Sequence, residues 1–408
     1  MDDEDGPAGR LARGLPLREA LDTTDPAAWL ALDTEVRRLA FRSASPVPAR
    51  RRIGDVADGP LSVSDESMIA LALCHPDGRV RQAALAPAAG APALWPLLVI
   101  RCSDWVGPVR ERAREVLADA GGSRLAPLAG LVLLLARRER GGFARDVLER
   151  VLREGPPADV VALLTSRDRA VRRFAYRVAV DRHLLTPVEL ARTAANATDD
   201  VRLQVLLAEA VLARSGECRL REEDVLAHLL AARSPQVRSV GVTGLRRTGR
   251  HGEAVPFLCD RSALVRACAR YVVRQAGTDP LPLYRSLCTA PAKHPAAAAG
   301  LGECGTRADA GILWALTGHP LAAVRAQAVS GLRALDAVRS DRVEPLLDDP
   351  APAVVRAAAH ALRPHAAGLD RDRLRARLAP DRLRATRAAA RRLLAQQDLA
   401  GARGLPGW

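Results

Sequence analysis

Asp77-Gly-Arg-Val80-Arg81-Gln-Ala-Ala84 and Asp104-Trp-Val-Gly-Pro-Val109-Arg110-Glu-Arg-Ala113 are two copies of one phrase, and that phrase decides the fold of this 408-residue chain. The Val-Arg pair recurs at Val36-Arg37, Val171-Arg172, Val201-Arg202, Val237-Arg238, Val265-Arg266, Val324-Arg325 and Val355-Arg356, with Thr386-Arg387 as an altered tenth copy. Successive arginines stand 44, 29, 62, 30, 36, 28, 59, 31 and 31 residues apart. The two long gaps are near twice the unit, so each hides a degenerate copy, at Ala144-Arg145 and in the Ala-rich stretch Pro295–Gly300. A period near thirty residues is the signature of a repeat array.

The flanks repeat as well. Four residues after the Val the side chain is small at Ala40, Ala84, Ala113, Ala175, Gly241, Ala269, Ala328, Ala359 and Ala390, with Val205 the exception. That spacing puts Val and the small residue on one helix face, a seam where a neighbouring helix can come close. An Asp precedes the Arg by four to seven positions at Asp33, Asp77, Asp104, Asp168, Asp260, Asp349 and Asp381. Asp, often beside a Pro such as Pro76 or Pro350, suits a helix N-terminus, where a carboxylate caps amides and Pro needs no donor. The phrase therefore opens the second helix of each unit. Segments such as Ser64–Cys74 and Arg221–Ala232, with aliphatic residues at helical spacing, form the first.

The fold expected is all-α: a right-handed α-solenoid of about twelve antiparallel helix pairs over residues 20–397. Residues 1–19 read as an acidic disordered N-terminus, 43–60 as a linker rich in Pro and Arg, and 398–408 as a flexible tail.

Composition narrows function less. The net charge of +14 suggests an anionic partner, but the chain holds a single lysine, Lys293, so the Arg content follows a general compositional bias. Seven scattered cysteines with no C-x-x-C pair fit reduced, buried thiols in the cytoplasm. Eight histidines form no metal motif, and His75, His294 and His319 each precede a Pro at an inter-helix turn. The opening Asp2, Asp3, Glu4 and Asp5 are unlike a signal peptide. The apolar run near Leu125–Ala136 is too short to span a bilayer. No catalytic, cofactor or metal residue is expected.

The recurrent Asp and Arg, the small-residue seam and the period resemble HEAT repeats, in the short form found in phycobilin lyases. In that family Asp and Arg bond between neighbouring turns in a ladder. The resemblance thus gives a structural role to Asp77, Arg81, Asp104, Arg110, Asp168, Arg172, Arg202, Arg238, Asp260, Arg266, Arg325, Asp349 and Arg356. It also allows two alternatives: an accessory subunit of a tetrapyrrole lyase, and an alkylpurine DNA glycosylase, for which Asp104-Trp105 would be the candidate motif. The partner expected first is a protein or peptide held on the concave face, with nucleic acid as the rival and no membrane. Arg173 and Arg177 in a mid-chain basic cluster, and Arg384, Arg387 and Arg391 in the segment Arg371–Arg392, are the candidate partner-binding residues. That segment carries nine arginines against Asp372 and Asp381.

Overall fold

The computed structural model describes residues 6–40, 62–197, 199–214 and 222–403, and no strand occurs among them. The expected linker at 43–60 lies outside these residues, as does Cys218. The chain divides between Thr186 and Pro187 into two compact units, a boundary that the repeat spacing does not announce. Each unit is an α-solenoid of helix pairs stacked in chain order.

The first unit begins with helices Pro7–Ala12, Leu17–Ala20 and Pro26–Ala40. Residues 7–19 fall in the stretch expected to be disordered, yet Ala8, Leu11 and Leu17 are buried, as is Ala20 just after it, which gives these short helices an apolar face to cover. Four pairs follow, with second helices Gly78–Ala89, Gly107–Ala118, Gly142–Glu154 and Arg169–Asp181. The second unit has seven pairs, whose second helices are Val201–Ala213, Pro235–Arg247, Ala263–Gln275, Ala297–Cys304, Ala322–Ala334, Pro352–Leu362 and Arg384–Arg403. The last of these runs into the stretch expected as a tail.

Counting the first helical residue as N1, one pattern organises the second helices. N3 is Val80, Val109, Val171, Val237, Val265 or Val324, and N7 is Ala84, Ala113, Ala175, Gly241, Ala269 or Ala328; all are buried. N4 is the arginine of the repeated phrase. Both degenerate copies fall on second helices: Ala144-Arg145 at N3–N4 of Gly142–Glu154, and Ala299-Gly300 at N3–N4 of Ala297–Cys304. At Gly300 the place of the arginine is taken by the ring of the fully buried Tyr284, whose hydroxyl donates to Leu258 O at 2.9 Å. A Cβ on Gly302 would overlap the Gly331 backbone, so these two glycines let Ala297–Cys304 and Ala322–Ala334 touch main chain to main chain.

Three sequence positions leave the pattern. Val36-Arg37 lies late in Pro26–Ala40, Val201-Arg202 at N1–N2, and Val355-Arg356 at N4–N5. The cores follow the N3/N7 seam. One runs from Ala8 to Ala179. In the second unit two apolar clusters are joined by Trp314, which packs against both.

Candidate partner-binding surface

The N4 arginines reach back over the first helical turn, the direction a long helical side chain takes. Arg81 Nη1 donates to the loop carbonyls of His75 (2.7 Å) and Pro76 (2.8 Å), while Nε and Nη2 grip both oxygens of Asp104 in the next repeat (2.9 and 2.8 Å). Arg238 does the same with the Ala232 and Arg233 carbonyls and Asp260. Arg325 does so with the His319 and Pro320 carbonyls and Asp349. Each of these aspartates also accepts from the amide two residues on, at Val106, Ser262 or Ala351. One guanidinium thus satisfies its own loop and staples it to the next, using the planar fork that only Arg supplies. Where the following loop has no Asp, the staple changes form. Arg266 keeps its bond to Asp260 O (2.7 Å) but pairs with Glu303 at N7 of the next second helix, which also takes Arg270 at 2.5 Å.

Other positions expected in the ladder bond within their own turns. Asp77 and Asp168 are exposed N-caps, bonding Arg79 N and Ala170 N. Arg110 and Arg172 bond their own loop carbonyls at Asp104 and Ser166. Arg202 is a correction. It is exposed at N2, and the N4 place belongs to Gln204, which is buried. Asp200 caps Leu203 N and so starts this helix two residues late relative to the Val-Arg pair. Arg356 is the second correction. It lies seven residues after its Asp, where Arg110 and Arg266 lie six after theirs, so Val355 fills N4 and Arg356 faces out. The turn histidines cap as well: His75 Nδ1 accepts from Asp77 N, and His319 Nδ1 from Leu321 N.

Asp104 and Trp105 belong to a dense charge cluster. Arg101 Nη1 donates to Asp104 (2.8 Å) and Nη2 to Asp33 (2.5 Å), and Asp33 also pairs with Arg37. Burial opposes ionisation of Asp104, but the Arg81 hydrogen bonds, the Arg101 charge and the Val106 amide outweigh it and hold the carboxyl below the usual aspartate range. Its four hydrogen bonds leave no lone pair for activating a water, so it is not placed to act as a general base. Trp105, half-exposed, lies against the guanidinium groups of Arg37 (4.2 Å) and Arg81 (4.3 Å), a cation–π contact that fixes the ring.

A different set of arginines lies outside these loop staples, Arg246 among them resting over the ring of Tyr271. On the second helices, N5, N9 and N12 project on one face, apart from the N4 and N8 positions that meet the following repeat. At N12 of the second unit stand Arg246, Arg274, Arg333 and Arg363, all exposed and none in an ion pair among the described residues. Their signal in the sequence is an arginine eight residues after N4, which reasoning from the Val-Arg pair alone passes over. Arg173 and Arg177 hold N5 and N9 on the last helix of the first unit, and Arg177 is exposed.

The face is richest at the C-terminal end. Arg356, His360 and Arg363 follow at i, i+4 and i+7 on Pro352–Leu362, opposite Arg392, Gln396 and Leu399 at the same spacing on Arg384–Arg403. Together they line a groove of about 590 Å³. The segment Arg371–Arg392 is less bare than its composition suggests. Arg371, Arg373, Arg375, Arg377 and Arg382 pair with Asp398, Asp370, Asp372, Glu344 with Asp348, and Asp348 respectively. Arg384, Arg391 and Arg392 make no ion pair among the described residues. Arg387 holds N4, where it donates to Pro380 O (3.3 Å), and with Arg391 at N8 it lies on the side that internal repeats use for the next helix.

Among the described residues no group of His, Cys, Asp and Glu could hold a metal, and no helix is long and apolar enough to cross a membrane. Burial pushes the thiols of Cys74, Cys102 (to about 12) and Cys288 (to about 11) up, away from nucleophilic use.

No family model and no curated protein sequence matches the chain. Solved structures similar to it include the karyopherin Kap121p bound to the extreme C-terminus of the protein phosphatase Cdc14p, at 12% identity and a TM-score of 0.37, covering 96% of this chain and 53% of that one. An engineered protein is similar at 15% identity and a TM-score of 0.24, covering 98% and 99%. Yeast importin-β (Kap95p) is similar at 11% identity and a TM-score of 0.25, covering 95% and 60%. The chain spans about half the length of the Kap121p chain it matches.

Proposed function

We propose that this protein is an interaction scaffold that holds an acidic protein or peptide against the second-helix face of its second unit. One observation carries the reading: the N4 arginines Arg238 and Arg325 are consumed by loop carbonyls and aspartates, whereas Arg246, Arg274, Arg333 and Arg363 are exposed and make no ion pair among the described residues, Arg246 lying over the ring of Tyr271. Exposed guanidinium groups stand there in four of the seven repeats, as the adjacent couples Arg246 with Arg274 and Arg333 with Arg363, a spaced row suited to an extended partner. The resemblance to HEAT repeats points the same way, and buried thiols fit a cytoplasmic setting. The carboxylate of the Asp104-Trp105 pair, the candidate for base-excision chemistry, is fully engaged by Arg81, Arg101 and the Val106 amide.

Nucleic acid is the second reading, favoured by the same charges. Duplex DNA presents a charge every ~1.7 Å, while neighbouring second helices stand roughly 8–10 Å apart. At most one arginine per repeat matches spaced carboxylates better than that density. Fluorescence anisotropy with labelled poly-glutamate and with random duplex DNA, at low and moderate salt, separates the two. Poly-glutamate binding that is lost when Arg246, Arg274, Arg333 and Arg363 are changed to Glu supports the scaffold. Tighter binding to duplex, with a steep salt slope, sinks it.

A further inference from the structure

The groove at the C-terminal end differs from the rest of the face in having two facing stripes, and that difference defines an occupant. We infer that it receives an amphipathic acidic helix of a protein partner, an inference that rests on the scaffold reading above. Arg356 and Arg363 are a heptad apart, about 10 Å along the axis, and His360 stands between them on the same stripe. Arg392 faces them across the groove from the neighbouring helix. A partner helix with carboxylates one heptad apart meets both outer arginines at once, whereas an extended strand repeats its side chains every ~6.6 Å on one face and meets only one in register. The floor is apolar: Ala359, Leu393 and Ala395 line it, and Leu399, 58% exposed, forms one wall. The partner helix therefore carries acids on one edge and an aliphatic residue beside them, the helix-in-groove mode.

The groove owes its charge to the displaced Val-Arg pair. With Val355 at N4 and buried, Arg356 moves to N5 and faces the groove instead of a following loop. No carboxylate lies within ion-pair distance of Arg356, Arg363 or Arg392 among the described residues, so docking breaks no existing pair.

The test uses the full chain and three labelled peptides: a helical peptide with glutamates a heptad apart beside a leucine stripe, its scrambled isomer, and poly-glutamate. The helical peptide is expected to bind at least about tenfold tighter than the scrambled one, with that preference lost in R356E/R363E and reduced in Leu399→Ala. In R246E/R274E the preference is expected to survive. All variants change exposed side chains, and circular dichroism checks that each remains folded. Equal binding of the helical and scrambled peptides overturns the groove, as does an R356E/R363E protein with its preference intact. In either of those two cases, poly-glutamate binding that is lost in R246E/R274E leaves the scaffold reading standing while the groove reading fails. No peptide binding at low salt ends both.

Discussion

Asp104→Asn is the substitution that weighs most on the reasoning about the charge cluster. Asp104 accepts from Arg81 Nε and Nη2, Arg101 Nη1 and Val106 N. The Arg81 and Arg101 side chains are 0% and 1% exposed. Asparagine keeps one acceptor and turns an amide donor towards guanidinium groups that are themselves donors. Three arginines, Arg37, Arg81 and Arg101, then share Asp33 alone, and two of them are buried. Breaking a buried pair by removing one partner costs about 3–5 kcal/mol, a large share of the 5–15 kcal/mol typical of a domain. The assay is urea unfolding at neutral pH, followed by tryptophan fluorescence in a background where Trp314 and Trp408 are Phe. The signal then comes from Trp29, Trp95 and Trp105, all in the first unit. The double change Arg81→Met with Asp104→Leu removes both partners, leaves Arg101 on Asp33, and is expected to cost less than Asp104→Asn. A loss under about 1 kcal/mol for Asp104→Asn would refute the view that this cluster is a closed, mutually dependent network.

Four further outcomes follow from the same geometry. Arg238→Ala is expected to cost about 2–4 kcal/mol because it strands Asp260 and two loop carbonyls, while Arg202→Ala and Arg356→Ala stay within about 0.5 kcal/mol; chemical denaturation of the three compares them directly. Gly302→Ala is expected to lower stability by about 1–3 kcal/mol, since the new methyl meets backbone that cannot yield; a thermal melt that does not move would contradict the close approach. The carboxyls of Asp104, Asp260 and Asp349 lie below the ordinary 3.8, burial being outweighed by their arginines, and that of Asp309 does so chiefly through Arg285. Their stabilising effect is complete above pH ~4 and fades as the pH falls through the folded values, so the melting temperature should drop steeply below that point, after a smaller decline below pH ~6.5 from His75, whose imidazole burial holds below its ordinary value. Native-state alkylation at mildly alkaline pH should spare Cys74 and Cys102, whose thiols burial keeps protonated; modification at either, mapped by mass spectrometry, would show that the first unit opens readily.

Much of this architecture is legible in the chain because its staples are made of a rare combination. Val, Arg and a small residue at fixed offsets mark N3, N4 and N7 wherever the loop before the helix has standard length. The reading slips where that length changes. The Val201-Arg202 pair looks like every other copy, yet Asp200 caps so close before it that Gln204 inherits the buried position. Glu303 and Tyr284 were invisible for the opposite reason: each replaces a member of the ladder with a residue of another type, reached from a different helix. The candidate binding residues divide along the same line. Arg384, Arg387 and Arg391 were found by local charge density, which composition reports. Arg246, Arg274, Arg333 and Arg363 lie roughly thirty or more residues apart in the sequence and come into one row only through stacking.

The displaced pair at Val355-Arg356 carries a lesson about how such an array changes its uses. One residue turns a helix by about 100°. A single codon gained or lost in a solvent-exposed loop therefore rotates a whole helix's outfacing set, and converts an internal fastener into a hand held out to ligands. The core tolerates it here because Val354, Val355 and Ala358 step into the vacated seam without a change of volume class. Loop length, more than the identity of the arginines, then becomes the variable by which repeats of one composition acquire different recognition surfaces.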